Sequence, residues 1–352
     1  MSDALVIGAG LGGLLCGRIL SRKGWNVTIL EQGIQAGGAL QTFVRCGIRF
    51  DTGFHSVGGL APGEPLDQVF RTLGLRDLPW YQVEADEIVG GTLPFLRLSS
   101  GWSEEVEHVA DPYQLSVWRL QGGGKTLCDA LCEGQKVLLR KRVTSIHDHE
   151  VTCADGSSYR ADVVVSDIHP LVTMRLLLDP VRRAYTRRLE SLANGPGVFT
   201  VNIQLRQGEM SPVNHSIFLD DTVMIHFGEA DARGFARSVD LMGFEMPGQA
   251  RHDGEGQDRE ARAEELIRKA AERLPELPSS IERYWTSTPA TWERFTGTPG
   301  GSAYGIMKHS RLDYIAPQTP LPWLFLTGQN LGLHGILGTS VTAINTCKSI
   351  SQ

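Results

Sequence analysis

Three glycines and a glutamate carry the first recognisable chemistry in this 352-residue chain. Gly8, Gly10 and Gly13 follow the apolar run Ala4-Leu5-Val6-Ile7 in the pattern G-x-G-x-x-G, with Leu11 and Gly12 inside it. The first glycine permits a sharp turn. The second lets a pyrophosphate reach the backbone, and the third lets a helix pack close on the preceding strand. The free N–H groups and positive dipole end of that helix suit phosphate. Glu31 stands 23 residues after Gly8 and ends a second apolar run, Trp25 to Leu30; Gln32 follows it. A carboxylate there hydrogen-bonds the 2′- and 3′-hydroxyls of a ribose and repels a 2′-phosphate. Together these residues read as half of a dinucleotide site.

Positioning that half requires strand, turn, helix, strand. The branched residues before Gly8 predict the first strand. Leu14, Leu15, Ile19 and Leu20 recur at helical spacing. The length allows two domains. A net charge of −6 argues against a nucleic-acid partner. No apolar run approaches membrane-spanning length, and the N-terminus lacks a basic leader. The six cysteines form no Cys-x-x-Cys or Cys/His ligand set, so no metal site and reduced thiols in a cytoplasmic setting are expected. Gly122-Gly123-Gly124-Lys125-Thr126 imitates a phosphate loop, but Arg119 stands where that loop needs a glycine.

Further along come Gly37-Gly38-Ala39-Leu40 and a hairpin ending Asp51-Thr52-Gly53-Phe54-His55. Thr288-Pro289-Ala290-Thr291 leads to Gly301-Ser302-Ala303-Tyr304-Gly305. Thr327-Gly328-Gln329-Asn330 leads to Leu333-His334-Gly335 and Gly338-Thr339. In this order the motifs resemble the flavin-containing amine oxidase superfamily, in its phytoene desaturase, carotenoid isomerase and retinol saturase branch. The resemblance implies an α/β fold: a GR2-like Rossmann-type FAD-binding domain with a discontinuous α+β substrate domain. It places residues 1–60, 120–180 and 300–352 in the FAD domain and residues 61–119 and 181–299 in the substrate domain. It assigns Gly37, Gly38, Ala39, Leu40, Val143, Gly328, Gln329, Gly338 and Thr339 to FAD beside the glycine turn. Ala39 stands where the family usually has arginine, and Gln329 where many members have aspartate. The last helix is expected to start near Leu337 and aim its N-terminus at the flavin.

The remaining chain is read from pattern. Glu84–Val89 and Thr92–Leu98 suggest a hairpin about Gly90-Gly91. Val198–Leu205, Thr222–Phe227 and Ser238–Phe244 alternate as sheet strands, with their apolar residues forming the core. Cys128 and Cys132 read as packing residues, and Asp167 and His169 as a loop that mimics a charge pair. The leading functional reading is an FAD-dependent oxidoreductase. It would desaturate, saturate or isomerise carbon–carbon bonds of a small apolar, conjugated substrate by hydride transfer at flavin N5. Amine oxidation at a C–N bond and a non-catalytic flavin-binding partner are the alternatives. His55, Tyr304 and His334 are the catalytic candidates by position. A second dinucleotide motif is missing, so electrons must be exchanged with the substrate, an external reductant or oxidant, or a partner protein. Peripheral membrane contact stays open, with no motif behind it.

Overall fold

The computed structural model describes residues 2–90, 116–220, 222–245, 256–308 and 311–351. Five parallel strands position the rest. In spatial order they are Leu324–Leu326, Val163–Ser166, Asp3–Ile7, Asn26–Leu30 and Lys136–Leu138. The opening strand lies in the middle, with Val6 level with Val165 on one side and Ile29 on the other. Successive side chains of a strand point to opposite faces, and both faces here are covered. Ala4 and Val6 pack under the helices Leu11–Arg22 and Gly335–Ile350, with Leu14, Leu15, Ala343 and Cys347 in the same core. Leu5 and Ile7 pack the other way, against Ile146 and Val151 of a three-stranded antiparallel meander spanning Val143–His147, Glu150–Cys153 and Ser158–Arg160.

The hairpin Thr42–Arg45 and Ile48–Asp51 forms as expected, with Phe43 opposite Phe50. Its last residue has a structural task. Asp51 Oδ1 accepts the Gly124 N–H at 2.9 Å, capping the helix Gly123–Cys132 from a distant segment. Burial pushes this carboxyl up to about 6, against the pull of that bond.

The second sheet has six strands in the order Ile281–Ser287, Gly197–Leu205, Ser238–Glu245, Val223–Phe227, Ile217–Leu219 and Glu87–Val89. The pairings are antiparallel except the last, where Phe218 runs parallel to Ile88. Phe199, Val201, Ile225, Val239 and Leu241 face Ala263, Leu266 and Ala270 of the helix Gly256–Ala271. The alternate residues Val198, Met224, Met242 and Phe244 turn to the other side with Phe218 and Trp292.

Two details depart from expectation. The helix Pro65–Leu73 packs Leu66, Phe70 and Leu73 onto the core of the opening helix, because its apolar stripe continues that surface. The closing helix begins at Gly335, two residues earlier than expected, because extended backbone at His334 serves as its N-cap. As expected, Asp167 and His169 are not paired and lie in a loop, which enters a helix at Pro170. His169 Nδ1 accepts the Leu171 N–H, and Nε2 lies 2.9 Å from Asn194 Oδ1. The second arm of the hairpin about Gly90-Gly91 lies outside the described residues. All six cysteines are free thiols, and the Cys128 and Cys132 sulfurs are 4.0 Å apart.

Candidate functional site

Backbone builds one end of the site. Gly8 takes φ +95°, which other residues rarely adopt, and its N–H donates to the Leu30 carbonyl at 2.8 Å. Gly10 is the N-cap of the helix Leu11–Arg22, and no side chain of its own covers the helix end. At Gly12 a Cβ would stand 2.8 Å from the Gly328 Cα, so the segment after Leu324–Leu326 passes directly against this turn. The loop Gly37–Leu40 closes from the other side, its Gly37 N–H donating to the Ala9 carbonyl at 2.7 Å. Glu31 is buried beneath. Its two oxygens accept the Ala9 and Gly33 N–H groups at 2.8 and 2.7 Å, leaving lone pairs to spare. The Lys141 N–H reaches the Glu31 carbonyl at 2.7 Å and brings Val143, at the start of the meander, close to it.

A cavity of about 330 Å³ runs from this cradle towards the second sheet. Gly10, Leu11, Gly12, Gly37, Gly38, Ala39, Leu40, Gln329, Gly338 and Thr339 line it, as do His55, Tyr304 and His334. Gly8, Gly13, Glu31, Gln32, Val143 and Gly328 do not line it. Phe218, Met224 and Trp292 supply apolar wall beyond the cradle.

The three catalytic candidates separate into two groups. Tyr304 and His334 lie together, ring centroids 4.6 Å apart. Gln329 ties their segments, its Nε2 donating to the Ala303 carbonyl at 3.2 Å. Burial first, and then the nearby Lys308 charge, bring His334 down to about 4; burial raises the Tyr304 hydroxyl. Lys308 is itself buried and donates to the Asn330 and Asp313 carbonyls at 2.7 and 3.0 Å, with its ammonium brought down to about 8 by burial. His55 belongs elsewhere, 4.5 Å from the buried ring of His226. Burial and the Arg119 charge bring His55 down to about 3, so it is neutral at ordinary pH.

Two buried acids were missed by sequence reasoning. Asp167 lines the cavity and accepts N–H bonds from Gly13 and Gly10, the helix end itself. Burial drives it up to about 7, the two bonds pull it down, and Glu31 pushes it up again. Asp240 lies opposite both Asn202 and His226 in the second sheet and accepts from Asn202 Nδ2 at 2.6 Å. Burial also takes it to about 7. Position beside His169 gave no signal for Asp167, and Asp240 looked like the solvent-facing half of an alternating strand. The Thr-Pro-x-Thr motif has a local cause: Thr288 Oγ1 accepts the Thr291 N–H at 3.3 Å and caps the helix Pro289–Thr296, with proline at its first position.

Comparison with known proteins decides the family. Residues 81–350 match the profile of flavin containing amine oxidoreductases, and residues 6–73 that of an NAD(P)-binding Rossmann-like domain. The chain belongs to the flavin containing amine oxidoreductase family. By that family it is a flavin-dependent oxidoreductase with a Rossmann-like domain. An all-trans-retinol 13,14-reductase of Danio rerio is 38% identical over 82 residues, 23% of this chain and 14% of that protein. Prolycopene isomerase 2 of an Oncidium hybrid cultivar is 37% identical over 75 residues, 21% of this chain and 13% of that protein. A probable polyamine oxidase 4 of Arabidopsis thaliana is 37% identical over 87 residues, 25% and 17% of the two chains. These matches therefore span about a sixth or less of each relative's length. Among solved structures, an oxidoreductase from Methanosarcina mazei superimposes with a TM-score of 0.72 at 16% identity, covering 98% of this chain and 100% of that one. A putrescine oxidase variant gives 0.71 at 14%, covering 99% and 98%. These two likenesses are of fold. No helix among the described residues is long and apolar enough to cross a membrane.

Proposed function

We propose that this flavin-dependent oxidoreductase binds FAD along the cavity and acts on a carbon–carbon bond of an apolar, conjugated substrate. The observation that carries the reading is continuity: one cavity joins the backbone cradle at Gly10–Gly12 to the apolar face at Phe218 and Met224. The cradle suits a dinucleotide, since Gly10, Leu11, Gly12, Gly37 and Gly38 line the cavity at the N-terminus of a helix with no side chain on its N-cap. FAD, when bound, supplies reversible two-electron redox chemistry. The helix N–H groups that Asp167 does not take, at Leu11 and Gly12, would hold the diphosphate, and Glu31 the adenosine ribose. The closing helix places a positive dipole end at His334–Gly335, which favours negative charge developing nearby. Tyr304 and His334 wall the cavity there and keep water out. The retinol reductase and prolycopene isomerase matches support carbon–carbon chemistry. Oxidation of a C–N bond is the second reading, favoured by the polyamine oxidase match. Anaerobic mixing separates them. A conjugated alkene or its saturated counterpart should change the flavin absorbance band of the oxidised or reduced protein, and polyamines should leave it unchanged. Bleaching by a polyamine alone would reverse the assignment.

A further inference from the structure

The cavity face of the second sheet changes character at one end. Past Phe218 and Met224 stand Ser216 and His226, only 1% and 2% exposed. Arg119, on the strand Val117–Leu120, brings Nη2 to 2.9 Å from His226 Nε2 and 2.7 Å from the Phe227 carbonyl oxygen. A guanidinium carries donors only, so His226 Nε2 must accept. Burial and the Arg119 charge keep a second proton off the ring. Its single proton is therefore on Nδ1, which lies 3.3 Å from Ser216 Oγ. The serine oxygen accepts that bond, and its own hydroxyl proton is left to donate. Its backbone N–H is engaged separately by Asp86 Oδ1 at 3.0 Å. The neighbouring His55 ring sets Nε2 2.9 Å from Met242 Sδ and has no partner for its buried Nδ1 among the described residues. His55, Asp86 and Ser216 all line the cavity.

We propose that Ser216 and His55 form the polar end of the substrate pocket and select an apolar molecule ending in an uncharged oxygen over the matching hydrocarbon and the matching protonated amine. The proposal rests on reading this cavity as the substrate site and adds the end group it takes. A hydroxyl or carbonyl oxygen accepts the Ser216 proton. A hydrocarbon leaves that proton and His55 Nδ1 buried without partners, which is costly. A protonated amine has no lone pair to offer and brings a positive charge towards Arg119. The carboxylate that could offset it, Asp86, is already bonded to the Ser216 N–H, and burial shifts it towards its neutral form.

The test titrates the flavin-loaded protein with all-trans-retinol, retinylamine and axerophthene, which share one skeleton and end in an alcohol, an amine and a methyl group. Perturbation of the flavin band reads binding. The alcohol is expected to bind about ten-fold more tightly than either analogue, the size of one well-made hydrogen bond. In Ser216→Ala that advantage over the hydrocarbon should shrink to about two-fold. Hydrocarbon affinity should rise, because the buried donor it left unpaired is gone, which also shows the pocket intact. Equal affinities for all three in the wild type would overturn the proposal. So would an alcohol preference that survives in both Ser216→Ala and His55→Phe. A protein that holds no flavin strikes the cofactor reading alone, and the polyenes' own fluorescence then reads the same comparison.

Discussion

The two ends of the cavity are built from different material. The end beside the glycine turn is made mostly of main chain: the glycine turn, the Gly37–Leu40 loop and the segment at Gly328 meet around one side chain, the Asp167 carboxylate. The substrate end is made of side chains from alternate positions of a twisted sheet, mixing Phe218 and Met224 with Ser216 and His226. Main chain can contact a ligand shared by many proteins but cannot be varied. Side chains can be exchanged singly, so this end is where one family member comes to differ from another. Each end also buries one acid driven up to about 7, Asp167 at the helix terminus and Asp240 in the sheet.

The largest effect should come from breaking the backbone end. Gly12→Val puts a branched side chain against the Gly328 Cα and should abolish flavin retention, read as the ratio of flavin to protein absorbance. Met224→Leu at the other end, a swap of similar volume, should keep the flavin in place. Equal flavin loss in both would erase the distinction.

The two acids provide a subtler contrast. A carboxyl whose folded pKa of about 7 lies above its unfolded value of about 3.9 keeps its proton longer when folded. The folded state then binds more protons between those values, and the contribution of each acid to stability falls as pH rises from about 4 to about 7. Asp167→Asn and Asp240→Asn should each remove that loss, gaining roughly 1–3 kcal/mol at pH 8 and little at pH 4, as read from melting temperatures. Asp167→Asn alone should also tighten flavin binding at pH 8, because it removes a negative charge from the phosphate-binding helix end. A matching change in flavin affinity in Asp240→Asn would show that the ends are not independent. The smallest effect is at Thr288. Loss of its cap in Thr288→Ala should cost about 1 kcal/mol of stability, with the flavin retained.

Legibility in the sequence followed the same division. The backbone end was legible as a pattern because turn geometry demands particular residues at set intervals; Gly10, Gly37 and Gly38 line one cavity, while Gly8, Gly13 and Glu31 lie outside its lining. The substrate end was not. Val198–Leu205, Thr222–Phe227 and Ser238–Phe244 alternate as strands with apolar residues inward. Every residue of the strands Val223–Phe227 and Ser238–Glu245 is buried, because Trp292, Arg119 and His55 pack on the second face. Alternation therefore carries no signal for Asn202, His226 and Asp240, which are buried on that second face. His55 was singled out by its place after the hairpin, but its partners Met242 and His226 lie 187 and 171 residues away, beyond the reach of any local pattern. Asp51, at the end of that hairpin, caps a helix 73 residues away, which no local pattern could show.

The central claim is that the backbone end holds FAD. The direct measurement is the absorbance spectrum of the purified protein, or of protein reconstituted with FAD, followed by denaturation and identification of what is released. A yellow protein that yields FAD, with Gly12→Val colourless under the same treatment, is the predicted result. Wild-type protein that stays colourless after reconstitution, or that yields a flavin without the adenosine half, would contradict it.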